Sequence, residues 1–181
     1  MERSTRGMEG TRRRSRTASS KDAIALLKAD HKQVTGWFGQ FKKARSNDRK
    51  GKLAMQICQA LRVHTTIEEE IFYPAFLAAT RDEDKHHEAE VEHAGAKKLI
   101  AEIEGMSPAD EYYGAKVKVL SEMIRHHVKE EERPGGMFAE ARKSHMDLEH
   151  LGQRMKARKG QLEAEGNNGG IRGVAKTTLN A

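Results

Sequence analysis

Two histidine-glutamate pairs, His64 with Glu68 and His127 with Glu131, stand four residues apart in stretches of helical pattern, and both fall on the seam where a bundle helix carries aliphatic side chains. His31 and His93 occupy the same kind of position in two other stretches. Burying six such side chains without a common partner would cost several kcal/mol for each group. A shared metal removes that cost. Residues four apart stack on one helix face, so each pair can reach one ion or two neighbouring ions. Four imidazoles and two carboxylates suit a first-row metal better than calcium, which takes oxygen ligands, or zinc held by thiolates.

Facing, more than motif counting, selects these residues. His-x-x-x-Glu pairs also begin at His86, His126 and His145. His126 is turned about 100° from the seam of Ile124, His127 and Glu131, so His127/Glu131 is preferred over His126/Glu130. His145 lies in a later segment, where an exposed pair is the ordinary reading. Glu90, His86, His126 and Tyr113 are the candidates for additional or supporting groups around the site. Each of the six main residues, taken alone, is also compatible with a satisfied core histidine or a solvated carboxylate. A metal-free helical interaction module therefore remains an open alternative.

Four amphipathic helices must position these groups. The first runs from about Lys21 to Ala44 after a Ser19/Asp22 capping signal, with Ile24, Leu27, His31, Val34, Phe38 and Phe41 on one face. The second starts near Asp48 and carries Leu53, Ile57, Leu61, His64, Glu68 and Ile71, and Pro74 should bend or end it near Tyr73. Thr80 with Glu83 opens the third, whose face holds Ala89 or Glu90, His93, Ala96, Ile100 and Ile103. Ser107, Pro108 and Asp110 read as the start of the fourth, with Tyr113, Val117, Leu120, Ile124, His127 and Glu131 along its seam. At about 1.5 Å rise per residue, the ligand levels agree on the first three helices, while the fourth fits only if it starts later, for example after Gly114. A fifth helix, Ala139 to Lys159, is expected on the outside. The expected architecture is an all-α, up-and-down four-helix bundle with a short C-terminal helix and flexible tails.

The domain plan is a basic arm over 1–20, a bundle over 21–160 and a flexible tail over 161–181. Of 181 residues, 33% are charged and 36% hydrophobic, which fits helices with solvated outer faces. The net charge is +6, and residues 1–20 contribute six arginines against Glu2 and Glu9. No aromatic residue is interleaved there for base stacking, so nucleic acid is not an expected partner. No apolar run is long enough to span a membrane and no secretory leader is evident; the lone cysteine, Cys58, suits a reducing, cytoplasmic setting. A monomer is the expected state.

The motifs ADHKQV around His31, HTTIEEEIFYP from His64, EVEHAGAKKLI around His93 and HHVKEEE around His127, in this order and spacing, resemble those of the hemerythrin HHE cation-binding family across residues 21 to about 160. That resemblance implies two non-haem iron ions, bridged by carboxylates and an oxygen, inside the bundle. It implies a small diatomic or peroxide ligand, with roles in O2 carriage, sensing of O2, redox state or iron, and oxidant handling. Two departures from the family pattern matter. Ala89 stands where the animal O2 carriers have a second histidine, which favours exchangeable solvent, sensing or peroxide chemistry over reversible O2 storage. RPGG at Arg133–Gly136 replaces the usual link after the last pair. A catalase-like, peroxide-disproportionating enzyme is the catalytic alternative.

Overall fold

The computed structural model describes residues 22–172. Among them all regular structure is helical: α1 Ala23–Lys43, α2 Asn47–Ile67, a π-helical segment Glu68–Phe72, α3 Tyr73–Thr80, α4 Glu83–Glu104, α5 Tyr113–Glu132, α6 Met137–Lys143 and α7 Leu148–Arg172. α1 packs on α2 and α4 on α5, while α2 with α4 and α1 with α5 close the bundle. α7 lies against α1, α2 and the π-helical segment, and α6 against α5 and α3. None of the described helices is long and apolar enough to cross a membrane.

The seams lie on the buried faces. Ile24, Leu27, His31, Val34 and Phe41 of α1, Leu53, Ile57, Leu61, His64 and Glu68 of the second run, and the expected positions of α4 and α5 are all buried. Burial of these apolar side chains, at about 25 cal/mol per Å² removed from water, is the main force holding the helices together.

Helix boundaries differ from the sequence expectation in several places, and four have a clear local reason. Asp22 is the N-cap of α1, its carboxylate accepting from the Ala25 N–H at 2.7 Å, while Ser19 lies outside the described residues. Asp82, not Thr80, caps α4 by accepting from the Lys85 N–H. Ser107 and Asp110 do engage each other, the Ser107 N–H donating to Asp110 Oδ2 at 2.8 Å, but this closes a turn and α5 begins only at Tyr113. The late start puts His127 about 21 Å from that end, close to the roughly 17 Å between His93 and the end of α4, and so removes the register mismatch.

Pro74 is the fourth case. The helical run passes through it to Thr80, because the preceding turn is π-helical: the Tyr73 N–H donates to the Glu68 carbonyl, five residues back. Pro74 then sits at the start of α3, where its missing N–H is tolerated. After α5, Gly135 adopts φ 77°, and a Cβ at Gly136 would clash with the Glu130 carbonyl, so only glycine fits the tight reversal. The single fifth helix expected from Ala139 is instead two helices broken after Lys143, and α7 stays helical to Arg172, within the stretch expected to form a tail. Residues 1–21 and 173–181 lie outside the described residues, so the expected arm is not addressed by the structure.

Candidate metal centre

Four helices deliver six polar side chains to one level between two apolar clusters. His31, His64, Glu68, His93, His127 and Glu131 are each at most 5% exposed. His31 Nε2 lies 3.1 Å from His64 Nε2, and His93 Nε2 lies 3.3 Å from His127 Nε2. The carboxylates stand between these two histidine pairs. Glu68 Oε2 is 3.1 Å from His64 Nε2 and 3.4 Å from His93 Nε2; Glu131 Oε2 is 3.4 Å from His31 Nε2 and 3.6 Å from His127 Nε2. Each glutamate thus reaches one histidine of each pair.

The outward ring nitrogens face a second set of carboxylates. His31 Nδ1 donates to Glu132 (2.9 Å), His93 Nδ1 to Glu69 (3.0 Å) and His127 Nδ1 to Glu92 (2.7 Å), while His64 Nδ1 faces Asp30 at 3.6 Å. These carboxylates are tied in turn to Lys28, Lys97, His126 and Lys159. A carboxylate partner places a proton on Nδ1 of His31, His93 and His127, and in the neutral ring the Nε2 lone pair then points inward. Two such lone pairs, 3.3 Å apart between His93 and His127, repel unless a cation lies between them. Nitrogens bound about 2.1 Å from one ion at right angles would be separated by about 3 Å.

Electrostatics agree with that arrangement. Burial, reinforced by the charges of neighbouring histidines, pushes His31 and His93 down to about 2, so both are neutral. Burial also lowers His64, against the pull of Asp30. At His127 burial is outweighed by Glu131 and Glu92, and its value rises. Burial and the nearby Glu131 charge raise Glu68 well above the carboxylate range, and burial pushes Glu131 to about 7 despite His127 and Tyr73. Glu68 is fully buried, yet neither of its carboxylate oxygens has a hydrogen-bond partner among the described residues, and Glu131 Oε2 also lacks one. Such orphaned acceptors are costly in a protein interior. The donor set therefore fits cations: His31, His64 and Glu68 can converge on one, and Glu68, His93 and His127 on another.

These observations decide the family. The model for the hemerythrin HHE cation binding domain matches residues 22–139. The chain belongs to the hemerythrin HHE cation-binding family. A hemerythrin HHE cation binding domain-containing protein from Mycobacterium kansasii has a crystal structure that superposes with TM-score 0.65 at 26% identity, covering 80% of this chain and 88% of that one. A curated relative, a DNA nickase from a Nostoc species (strain PCC 7120), is 25% identical over 107 residues, 59% of this chain. The match spans 30% of that relative's length.

Within this HHE domain the supporting candidates separate. His126 is exposed and faces the outer side of Glu92, with Nε2 3.4 Å from Oε1. Glu90 is exposed and lies 3.8 Å from His86, whose ring stands edge-on to Tyr73 with centroids 6.1 Å apart. Tyr113 is not at the centre: it is buried in the distal cluster against Phe41. The tyrosine at the centre is Tyr73, whose hydroxyl donates to Glu131 Oε1 at 3.2 Å and lies 3.2 Å from His93 Nε2. Sequence reasoning missed Tyr73 because nine residues beyond His64, at about 100° each, place it half a turn from the seam. The π-helical segment removes roughly one residue of that rotation. The outer carboxylates were missed as well, although each sits next in sequence to a central residue: Asp30 beside His31, Glu69 beside Glu68, Glu92 beside His93 and Glu132 beside Glu131.

Proposed function

We propose that this HHE domain is a dinuclear non-haem iron protein that engages O2, NO or peroxide, as a sensor or in protection against oxidants. His31 and His64 would hold one ion and His93 and His127 the other, and Glu68 and Glu131, each within reach of one histidine of either pair, would complete the ligand sets. The observation that carries this reading is Glu68, fully buried with both oxygens unpartnered, whose Oε2 lies between one histidine of each pair. When bound, the irons would supply electron exchange with a small oxidant. A reducing, cytoplasmic setting suits this chemistry.

The chain's own groups prepare the site for such a ligand. Burial, with the charges of Glu68 and Glu131, raises the Tyr73 hydroxyl well above its ordinary value, so it stays protonated and donates to Glu131. A cavity of about 20 Å³ beside Ala89 reaches His127 and Glu131, room for about one water-sized particle. Phe138, stacked on His31 at 5.8 Å, and Phe72, edge-on to Phe138, cover the His31 ring with apolar surface. The buried Tyr73 proton favours peroxide disproportionation as the second reading, since it places a donor beside the ligand-binding level.

Metal analysis of protein purified from iron-replete cells tests the proposal: two irons per chain are expected, and one or fewer would sink the dinuclear reading. Chelation should also lower the melting temperature, because an ion that binds only the folded bundle stabilises it. An unchanged melt would favour the metal-free interaction module.

A further inference from the structure

Phe38 falls on the α1 seam between Val34 and Phe41, yet it is only half-buried. A cavity of about 490 Å³ opens beside it, between α1, α5 and the start of α2. That volume lies within the range of roughly 300–1,000 Å³ that small-molecule sites occupy. Its apolar wall is Phe38, Phe41 and Val117, the last two buried members of the distal cluster. Gly114, in the first turn of α5, also lines it, and a Cβ there would meet no atom within 4 Å. The rest of the wall is basic: Lys42, Lys50, Lys118 and Arg125 stand against a single carboxylate, Glu122, which lies 3.8 Å from Lys118. The other three form no ion pair among the described residues, and Lys50 is half-buried. An ammonium that has lost part of its hydration with no compensating charge is the complement of an anion. The chain's own ends do not supply one: residues 1–21 carry six arginines and Lys21 against Glu2 and Glu9, and 173–181 contain Lys176 and no acidic side chain. A second copy, at net charge +6, is equally unsuited. A bare inorganic anion would leave the aromatic wall uncovered.

We propose that this cavity binds a free amphipathic carboxylate, its apolar body on Phe38, Phe41 and Val117 and its head group among Lys42, Lys50 and Arg125. Burial of the body supplies non-directional attraction, and charge-assisted hydrogen bonds to the head fix its orientation. The site is separate from the histidine layer, because Phe41 and Val117 stand about 15 Å along their helices from His31 and His127. It therefore does not depend on the metal reading of the centre.

Calorimetric titration of the full chain tests the assignment with three probes: octanoate, 1-octanol as the tail without the charge, and acetate as the charge without the tail. Octanoate should bind saturably at a single site, and each control should bind at least about tenfold more weakly, since it lacks one of the two contacts. The Lys42→Ser/Arg125→Ser double variant should weaken octanoate binding by about tenfold and leave 1-octanol unchanged. Gly114→Trp should weaken both by filling the space. Both substituted basic residues are exposed, so the double variant should melt like the parent and keeps the test valid if Gly114→Trp does not fold. Absence of saturable octanoate binding, or equal octanoate binding by the parent and the double variant, would overturn the site. Acetate binding as tightly as octanoate would reduce it to a plain anion patch, and binding seen only with phosphatidylglycerol vesicles would make it a membrane-facing surface; either outcome overturns the proposal.

Discussion

The bundle is packed differently on the two sides of its histidine layer. On the distal side Val34, Leu53, Ile57, Leu61, Ile100, Leu120 and Ile124 form an aliphatic core between four uninterrupted helices. On the proximal side Phe72, Tyr73, Phe76, Phe138 and Met155 are brought together by a π-helical turn, a glycine reversal and two extra helices. The regular half supplies support. The irregular half supplies the parts that touch the centre: the Tyr73 hydroxyl, the Phe138 ring over His31 and the Ala89 cavity. Departures from helical regularity gather on the side where the chemistry is proposed.

The largest expected effect separates the layer from its surface. His127→Ala should lose most of the iron, since it leaves Glu131 buried beside a missing partner, a defect that costs about 3–5 kcal/mol. His126→Ala alone should keep the final iron content, because its side chain lies off the seam and 60% exposed. Metal analysis and the near-ultraviolet spectrum of both variants check this; equal losses would mean that the layer extends to the surface.

Next come the two apolar halves. Leu120→Ala and Phe138→Ala should each destabilise the apoprotein, by about 2–5 and 3–5 kcal/mol respectively, as buried side chains that leave cavities. Only Phe138→Ala should also weaken iron retention during dialysis against a chelator, because its ring stacks on His31 at 5.8 Å and 8°. Similar iron loss in both variants would show that the halves do not act separately.

The same contrast explains what could be read from the sequence. The distal half repeats a three-and-four spacing on every helix, so Ile57, Leu61, Ile100 and Leu120 announce their own burial, and the six central residues interrupt that spacing in register. The proximal half depends on backbone events with no periodic signature. Helical spacing turns Tyr73 half a turn from the seam, and the π-helical segment swings it back toward the centre by roughly one residue's rotation. Pro74 signals a break that the same segment absorbs, and Ser107 with Asp110 has the chemistry of a helix start but closes a turn instead. Asp30, Glu69, Glu92 and Glu132 resemble ordinary surface charge until the helices pair, because each serves a histidine on a neighbouring element.

The smallest expected effect is also the narrowest test, because it compares one atom in each half. Tyr73 and Tyr113 are both almost fully buried, one at the centre and one in the distal core. Tyr73→Phe removes the donor to Glu131 Oε1 and leaves a buried acceptor unsatisfied, at a cost of about 1–3 kcal/mol in the apoprotein. Tyr113 contributes chiefly its ring, packed on Phe41 at 6.4 Å, so Tyr113→Phe keeps that contact and should cost clearly less than Tyr73→Phe. Urea unfolding of the metal-free variants measures both. The iron-loaded Tyr73→Phe variant should recover part of its deficit, since bridging cations would satisfy Glu131 in place of the lost hydroxyl. A deficit unchanged by iron would mean that Glu131 does not face a cation, and equal deficits in the two tyrosine variants would remove the distinction between the halves.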